Sequence, residues 1–158
     1  LYGSSLDMDD VVAGAIRGVT DGRLRIDWVP GESAEVTVTE HCRTPEPVLR
    51  PVLLPGGLGA HKWRDRRLLE SHEADDPHTL PLLVDADGFV LETSRTAIAV
   101  RDGDGVLHAP PLDGRILPSV TLSARAPRRT PLTLDDLAHA REILVASALR
   151  GLQPARLT

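Results

Sequence analysis

The chain has 158 residues, of which 41% are hydrophobic and 26% charged, and its net charge at neutral pH is −5. A chain of this length can close one hydrophobic core, or one core and part of another. Its acidic and basic residues are interspersed, without a basic block, which argues against nucleic acid and favours a small molecule as the partner. The single cysteine, Cys42, cannot form an intramolecular disulfide, and no apolar run reaches the roughly 18 residues of a membrane span, so we expect a cytoplasmic protein without a membrane partner.

The first third of the chain predicts one helix and three strands. Residues 7–19 place apolar side chains at helical spacing, with Asp7 as the N-cap. Two segments that alternate apolar and polar residues, 23–29 and 34–41, predict antiparallel strands. "VLRPVLL" at residues 48–54 predicts a third strand, and the glycine-rich "GGLGA" that follows predicts a boundary between two domains, 1–58 and 59–158.

The rest of the chain alternates hairpins and short helices. "HKWRDRRLLESHEA" predicts a helix that starts close to Lys62, and "TLPLLVDADGFVLET" and "TAIAVRDGDGVLHAPPL" each predict a β-hairpin. "GRILPSVTLSARA" predicts entry into a helix near Pro118, and "TLDDLAHA" predicts a helix with a capping box between Thr133 and Asp136. "EILVASALRGL" predicts a buried strand and a glycine turn. "HEADDPH", from His72 to His78, matches no closed zinc pattern, so we expect a solvated loop and no metal site.

Lys62 is the only lysine in a chain whose other permanent positive side-chain charges are all arginines. A lysine amine can lose its proton and attack a carbonyl carbon to form a Schiff base, whereas a guanidinium stays protonated up to about pH 12. Lys62 is therefore a candidate nucleophile. From composition alone, an ordinary surface lysine is an equally good interpretation.

Four motifs between Gly59 and Thr158 occur in an order that resembles the class IV family of pyridoxal-phosphate-dependent aminotransferases. They are "HKWRDR", the "ETS" that follows Lys62 by thirty residues, "PPLDGRILPSVT" and "ILVASALRGLQP". The resemblance implies an α/β (α+β) fold with two domains, as in D-amino acid aminotransferase, with pyridoxal 5'-phosphate as cofactor and a homodimer as assembly. Residues 7–55 resemble the last helix and strands of the family's small N-terminal domain, so that domain is expected to be incomplete here.

The resemblance also assigns roles around the cofactor ring. Lys62 matches the lysine that holds the cofactor covalently, and Glu92 matches the glutamate that pairs with the pyridine nitrogen. A carboxylate at that nitrogen keeps it protonated, which lets the ring accept electrons from a breaking bond. Ser94, in the "ETS" motif, is a further expected cofactor contact. Without the resemblance, a glutamate after an apolar strand is usually a solvated strand end.

Three more residues match the ring face and the phosphate. Leu117 matches the leucine that packs against the ring, and Val120 and Thr121 match the pair that binds the phosphate at a helix start, where backbone N–H groups are unpaired. From the residues alone, Ser119 and Thr121 could simply cap a helix. Ser147 lies in the segment that faces substrate in the family.

The pattern Lys62-x-x-Asp65-Arg66 is similar to that of the family's aminodeoxychorismate lyases, and of the lyase-like domains fused to aminodeoxychorismate synthase. It makes Arg66 an expected substrate contact. The branch implies conversion of 4-amino-4-deoxychorismate to 4-aminobenzoate and pyruvate. A class IV transaminase of the branched-chain or D-amino acid type, and a non-catalytic remnant of the same fold, are the alternatives.

Overall fold

The computed structural model describes residues 7–17, 19, 21–29, 31–39, 45–73, 76 and 79–158. The chain forms two compact units that divide between Thr44 and Pro45. His41, Cys42 and His78 lie outside the described residues. No described helix is long and apolar enough to cross a membrane.

The described residues of the first unit form one helix and one hairpin, as the sequence predicts. Helix α1 (Met8–Ala15) begins after Asp7, whose carboxylate accepts hydrogen bonds from the N–H groups of Asp9 and Asp10. Strands β1 (Arg23–Asp27) and β2 (Glu35–Thr39) pair antiparallel, with Ile26 opposite Val36.

The second unit is built on one eight-stranded sheet. Its strands are β3 (Val48–Leu53), β4 (Thr79–Val84), β5 (Val90–Thr93), β6 (Ala97–Arg101), β7 (Leu107–Ala109), β8 (Arg128–Arg129), β9 (Glu142–Ser147) and β10 (Gly151–Leu157). They follow the order β5-β4-β3-β10-β9-β6-β7-β8. The pairs β3–β4, β3–β10 and β7–β8 are parallel and the other pairs are antiparallel, so the sheet is mixed. This confirms the predicted fold class.

The sheet must curl, because its connections are too short for a flat arrangement. Four strands lie between β5 and β6 in the sheet order, which in a flat sheet would separate them by about 24 Å. Only residues 94–96 join Thr93 to Ala97, and a fully extended chain of that length reaches about 14 Å. The turn between β5 and β6 therefore lies where the sheet curves back on itself.

Alternate residues of the strands face two different apolar layers. Leu82, Val84 and Ile98 belong to the cluster inside the curve, together with Leu137 of the last helix. Leu83, between Leu82 and Val84, faces the opposite side and packs in a second cluster. That cluster consists of Val52, Leu69, Leu83, Leu91 and Ile116. It supports the segments that carry the candidate site.

Three short helices connect the strands. Helix α2 (Arg67–Glu73) starts five residues after Lys62, so the predicted start close to Lys62 is wrong. The Asp65 carboxylate accepts a hydrogen bond from the Arg67 N–H at 3.1 Å and thereby fixes the start of the helix. Helix α3 (Val120–Ser123) follows Pro118, and helix α4 (Leu134–His139) has the predicted capping box between Thr133 and Asp136.

The division between the compact units also differs from the predicted one. Strand β3 lies between β4 and β10, and both pairings are parallel, so hydrogen bonds tie β3 into the sheet of the second unit. The structure therefore places the division before β3, between Thr44 and Pro45, and not at the glycines after it. Those glycines form a loop within the second unit.

Candidate active site

A glycine loop leads from β3 to Lys62 and is docked on the segment that precedes Leu117. The N–H groups of Leu58 and Gly59 both donate to the Arg115 carbonyl oxygen, at 3.1 and 3.0 Å. Gly57 has a φ of +70°, and a Cβ on it would lie 2.3 Å from the same oxygen. Only glycine fits at position 57, because the backbone approaches too closely for any side chain.

The Arg115 segment is fixed by two carboxylates. The Arg115 guanidinium pairs with the buried carboxylate of Asp85 and, at 2.7 Å, with the carboxylate of Asp113. Asp85 also accepts hydrogen bonds from the N–H groups of Asp87 and Phe89, at 3.0 and 2.8 Å, within the turn between β4 and β5. The glycine loop thus docks on a segment that the β4–β5 hairpin holds in place.

Lys62 lies in an irregular stretch, with its side chain exposed. The neighbouring Trp63 donates its indole N–H to the Leu58 carbonyl oxygen at 2.6 Å, which closes the chain around Lys62 into a loop. Within the described residues, no hydrogen bond or ion pair engages the Lys62 amine. The amine is therefore available to a ligand.

Arg66 fastens the other end of this loop to the turn between β5 and β6. Its guanidinium donates to the Ser94 carbonyl oxygen at 2.8 Å and lies 4.0 Å from the Glu73 carboxylate. Glu73 is mostly buried and forms a two-point ion pair with Arg95. This pair, with smaller contributions from Ser94 and Arg66, holds the pKa of the Glu73 carboxyl below its usual value. The loop around Lys62 is thus held on both sides. The residues before Lys62 are bonded to the Arg115 carbonyl oxygen, and Arg66, after Lys62, is bonded to the Ser94 carbonyl oxygen.

Glu92 is a buried acid that has no ion pair with any described residue. It lies in β5, is 7% exposed, and accepts one hydrogen bond at Oε1, from the Leu117 N–H at 3.3 Å. Burial raises the pKa of its carboxyl from 4.5 to about 7, against the opposing effect of the Leu117 hydrogen bond. A buried carboxyl with a raised pKa is typical of functional sites, because burial without a positive partner is otherwise unfavourable.

The three other expected cofactor residues differ in how directly the structure links them to Glu92. Leu117 is linked directly by its hydrogen bond. Val120 and Thr121 follow in the first turn of α3, where N–H groups have no acceptor within the helix. Ser119 accepts from the Leu122 N–H at 3.3 Å, and Val120 is 79% exposed, so the start of α3 is open to a ligand.

Ser147 and Ser94 have backbone roles in addition to their expected ones. The Ser147 hydroxyl accepts from the Arg150 N–H at 3.1 Å and so stabilises the turn between β9 and β10. Ser94 is buried, and its N–H donates to the Pro81 carbonyl oxygen at 3.0 Å. Hydrogen bonds connect the loop of Lys62 with the Ser94 and Arg115 carbonyl oxygens, and Leu117 with Glu92, whereas among the described residues none connects Ser147 with these groups.

The comparison with known families decides the identity of the fold. The sequence profile described as "Amino-transferase class IV" matches residues 60–157, more than half of the chain. The chain belongs to the class IV aminotransferase family. The match begins two residues before Lys62 and includes every predicted site residue.

Solved structures described as aminotransferases or as a 4-amino-4-deoxychorismate lyase share this fold. A candidate amino-acid aminotransferase from Mesorhizobium loti is 26% identical, with a TM-score of 0.77 over 99% of this chain and 84% of that one. A hypothetical aminotransferase from Mycobacterium tuberculosis, in its PLP-bound form, is 18% identical, with a TM-score of 0.72 over 94% and 65%. The 4-amino-4-deoxychorismate lyase from Pseudomonas aeruginosa is 18% identical, with a TM-score of 0.63 over 96% and 70%. Among proteins with curated descriptions, none matches the sequence significantly.

The sequence analysis of this class IV chain missed the residues that hold its site together. Gly57, Asp85 and Arg115 were not singled out, although each stands in a segment that the analysis quoted. A signal for Asp85 was present, because an aspartate that opens an Asp-x-x-Gly turn commonly accepts backbone hydrogen bonds within that turn. The contact between Gly57 and Arg115 joins residues 58 positions apart, and no local pattern predicts it.

Proposed function

We propose that this chain is a pyridoxal-phosphate-dependent lyase that converts 4-amino-4-deoxychorismate to 4-aminobenzoate and pyruvate, with Lys62 as its nucleophile. The observation that carries the proposal is the environment of Glu92. The Glu92 carboxyl is buried with a pKa of about 7 and one backbone donor, and it lies two residues before Ser94, whose carbonyl oxygen accepts the Arg66 hydrogen bond that fixes the loop of Lys62. The pattern Lys62-x-x-Asp65-Arg66 supports the lyase branch.

These residues fit pyridoxal phosphate. When bound, the cofactor supplies an aldehyde that reacts with amines and a pyridine ring that accepts an electron pair. The Glu92 carboxyl provides the acid group that a ring nitrogen requires, and its high pKa indicates that it lacks the positive partner a protonated nitrogen would provide. The exposed amine of Lys62 provides the nucleophile, and we assign the phosphate to the open first turn of α3 at Val120 and Thr121.

In the lyase reaction the chain's own residues move protons. The Lys62 amine would act as the base that takes the proton from the substrate carbon bearing the amine, and a proton would be delivered to the methylene carbon of the departing enolpyruvyl group. The C–O bond to the enolpyruvyl group breaks and the ring becomes aromatic. The atoms of the substrate equal those of 4-aminobenzoate plus pyruvate, so the step needs neither water nor a redox reagent.

Arg66, Ser147 and Leu117 complete the proposal. One guanidinium nitrogen of Arg66 is bonded to the Ser94 carbonyl oxygen, but the Arg66 side chain is 41% exposed, so we assign its remaining N–H groups to a substrate carboxylate. Leu117 is assigned to the ring face and Ser147 to the substrate side. We further propose that the protein acts as a cytoplasmic homodimer, which sedimentation of the loaded protein would test.

Amino-group transfer is the second candidate. It is favoured by the 26% identity with the candidate amino-acid aminotransferase from Mesorhizobium loti. It would use the same Lys62, which would return the proton to a different carbon.

One assay separates the candidates. The protein is loaded with pyridoxal phosphate and incubated with 4-amino-4-deoxychorismate, and separately with an amino acid and 2-oxoglutarate. Equimolar aminobenzoate and pyruvate, absent with Lys62→Arg, support the lyase, whereas glutamate formation supports the transaminase. Cofactor binding without either product would contradict both and support the non-catalytic alternative.

A further inference from the structure

A cleft lined by arginines lies in the second unit, and none of its lining residues belongs to the proposed cofactor site. It has a volume of about 590 Å³ and lies between the β6–β7 hairpin and the segment from α3 to β8. Its cationic lining residues are Arg101, Arg125 and Arg128, and no acidic residue is among its lining residues. This volume is within the range of about 300–1,000 Å³ that is usual for small-molecule sites.

The three arginines differ in how their charge is balanced. Arg101 pairs with Glu142 on the neighbouring strand at 3.1 Å and donates to the Gly105 carbonyl oxygen at 3.2 Å, so it forms a fixed wall. Arg125 and Arg128 are exposed, and neither has a side-chain hydrogen bond or an ion pair with any described residue. Two uncompensated guanidinium groups thus line one cleft of a protein whose net charge is negative.

The backbone between these two arginines is held in an unusual conformation. Ala126 has a φ of 45° and is the only residue other than glycine, among those described, with a positive φ. Such a conformation disfavours residues with a Cβ, and strained residues concentrate at binding sites. Ala126 lies between the end of α3 and β8, and the two side chains of β8 point to opposite faces of the strand. Arg128 lines the cleft, while Arg129 donates to the Pro110 carbonyl oxygen at 3.0 Å.

The remaining wall of the cleft is apolar. Val106 is exposed and Leu107 and Leu152 are half-buried at its lining. A guanidinium binds carboxylate and phosphate oxygens in a two-point geometry, and an apolar wall suits a short carbon frame. We propose that this cleft binds a small organic dianion, with carboxylate or phosphate groups held by Arg125 and Arg128. The site is independent of the proposed lyase activity.

The test uses the full chain loaded with cofactor, titrated with succinate, with 1,3-propanediol bisphosphate and with inorganic phosphate, and followed by amide chemical shifts and calorimetry. We expect saturable binding of at least one probe, with shifts at Gly105–Leu107, and the probe that binds identifies the anionic group. The double variant Arg125→Gln/Arg128→Gln should weaken that binding at least tenfold, while Arg23→Gln/Arg141→Gln, with the same change in charge at exposed sites outside the cleft, should leave it within twofold.

Three results would overturn the proposal. The first is that no probe binds saturably, the second is that the amide shifts map only to other parts of the chain, and the third is that the control variant loses as much affinity as Arg125→Gln/Arg128→Gln. Because all four substituted side chains are exposed, both double variants are expected to fold, and their amide spectra report this directly.

Discussion

Replacing Glu92 by glutamine should make the cofactor-free protein more stable above neutral pH and at the same time disable its site. The carboxyl is buried with one donor, and burial disfavours its charged form. Glutamine has nearly the same shape, can accept the same hydrogen bond from the Leu117 N–H, and carries no charge. A residue that costs stability in the empty protein is expected to be there for its ligand.

The raised pKa sets the size of the effect. A difference of one in pKa corresponds to about 1.4 kcal/mol, so raising the pKa of Glu92 from 4.5 to about 7 makes its ionised form roughly 3 kcal/mol less favourable in the folded chain. Because the folded state holds this proton more tightly than the unfolded state, the contribution of Glu92 to stability is fully present below pH 4.5. It is lost as the pH rises from 4.5 through about 7. At pH 8 the glutamine variant should therefore be more stable than the native chain by up to about 3 kcal/mol.

Urea denaturation of the cofactor-free protein between pH 4.5 and pH 8.5 measures this difference. Glu46→Gln is the matched control, because Glu46 is exposed and the same charge is removed. Equal pH dependence in the native chain and in Glu92→Gln would refute the reasoning. With cofactor added, the order should invert, because only the native carboxylate pairs with a protonated ring nitrogen.

Three further variants test the loop around Lys62. Gly57→Ala should lower the free energy of unfolding by about 2–4 kcal/mol, since strain at positive φ adds to the clash with the Arg115 carbonyl oxygen. Gly56→Ala, at a similar φ but with open space around its Cβ, should lower it by only about 1–2 kcal/mol. Equal losses in urea melts would contradict the docking of the loop on Arg115. Arg66→Ala should weaken cofactor binding several-fold and lower the free energy of unfolding by about 1–2 kcal/mol, because it removes the bond to the Ser94 carbonyl oxygen. Arg67→Ala, which loses only its exposed pair with Asp65, should leave both unchanged, and equal effects of the two variants in calorimetry would contradict the role of Arg66. Lys62→Arg should leave the melting temperature unchanged while abolishing turnover; activity in that variant would exclude Lys62 as nucleophile.

Most strands and helices were predictable because their patterns are local. The alternation in β1 and β2, the Asp-Gly turn between β4 and β5 and the capping box of α4 all lie within a few residues. Strand β10 was missed, because Gln153 and Pro154 interrupt its apolar pattern and proline usually weakens a strand. It is nevertheless a central strand, with Pro154 opposite Leu144 and Arg156 opposite Val48.

The candidate residues of the site are more visible in the sequence than the framework that holds them. Lys62 stands out as the sole lysine and Glu92 as an acid in an apolar segment, and the family resemblance proposes roles for both, which stay predictions. The burial of Glu92 depends on distant segments, and so does the docking of Gly57 on the Arg115 carbonyl oxygen. Arg66 shows the same limit, since its bond to the Ser94 carbonyl oxygen joins residues 28 positions apart in the sequence.

The central claim is that Lys62 binds the cofactor covalently. Incubation with pyridoxal phosphate, reduction with borohydride, and peptide mass mapping of the product test it directly. The account predicts one pyridoxyl group per chain, on the peptide that contains Lys62, and none in Lys62→Arg. Labelling elsewhere on the chain, such as at its amino terminus, or undiminished labelling of the variant, would contradict the account.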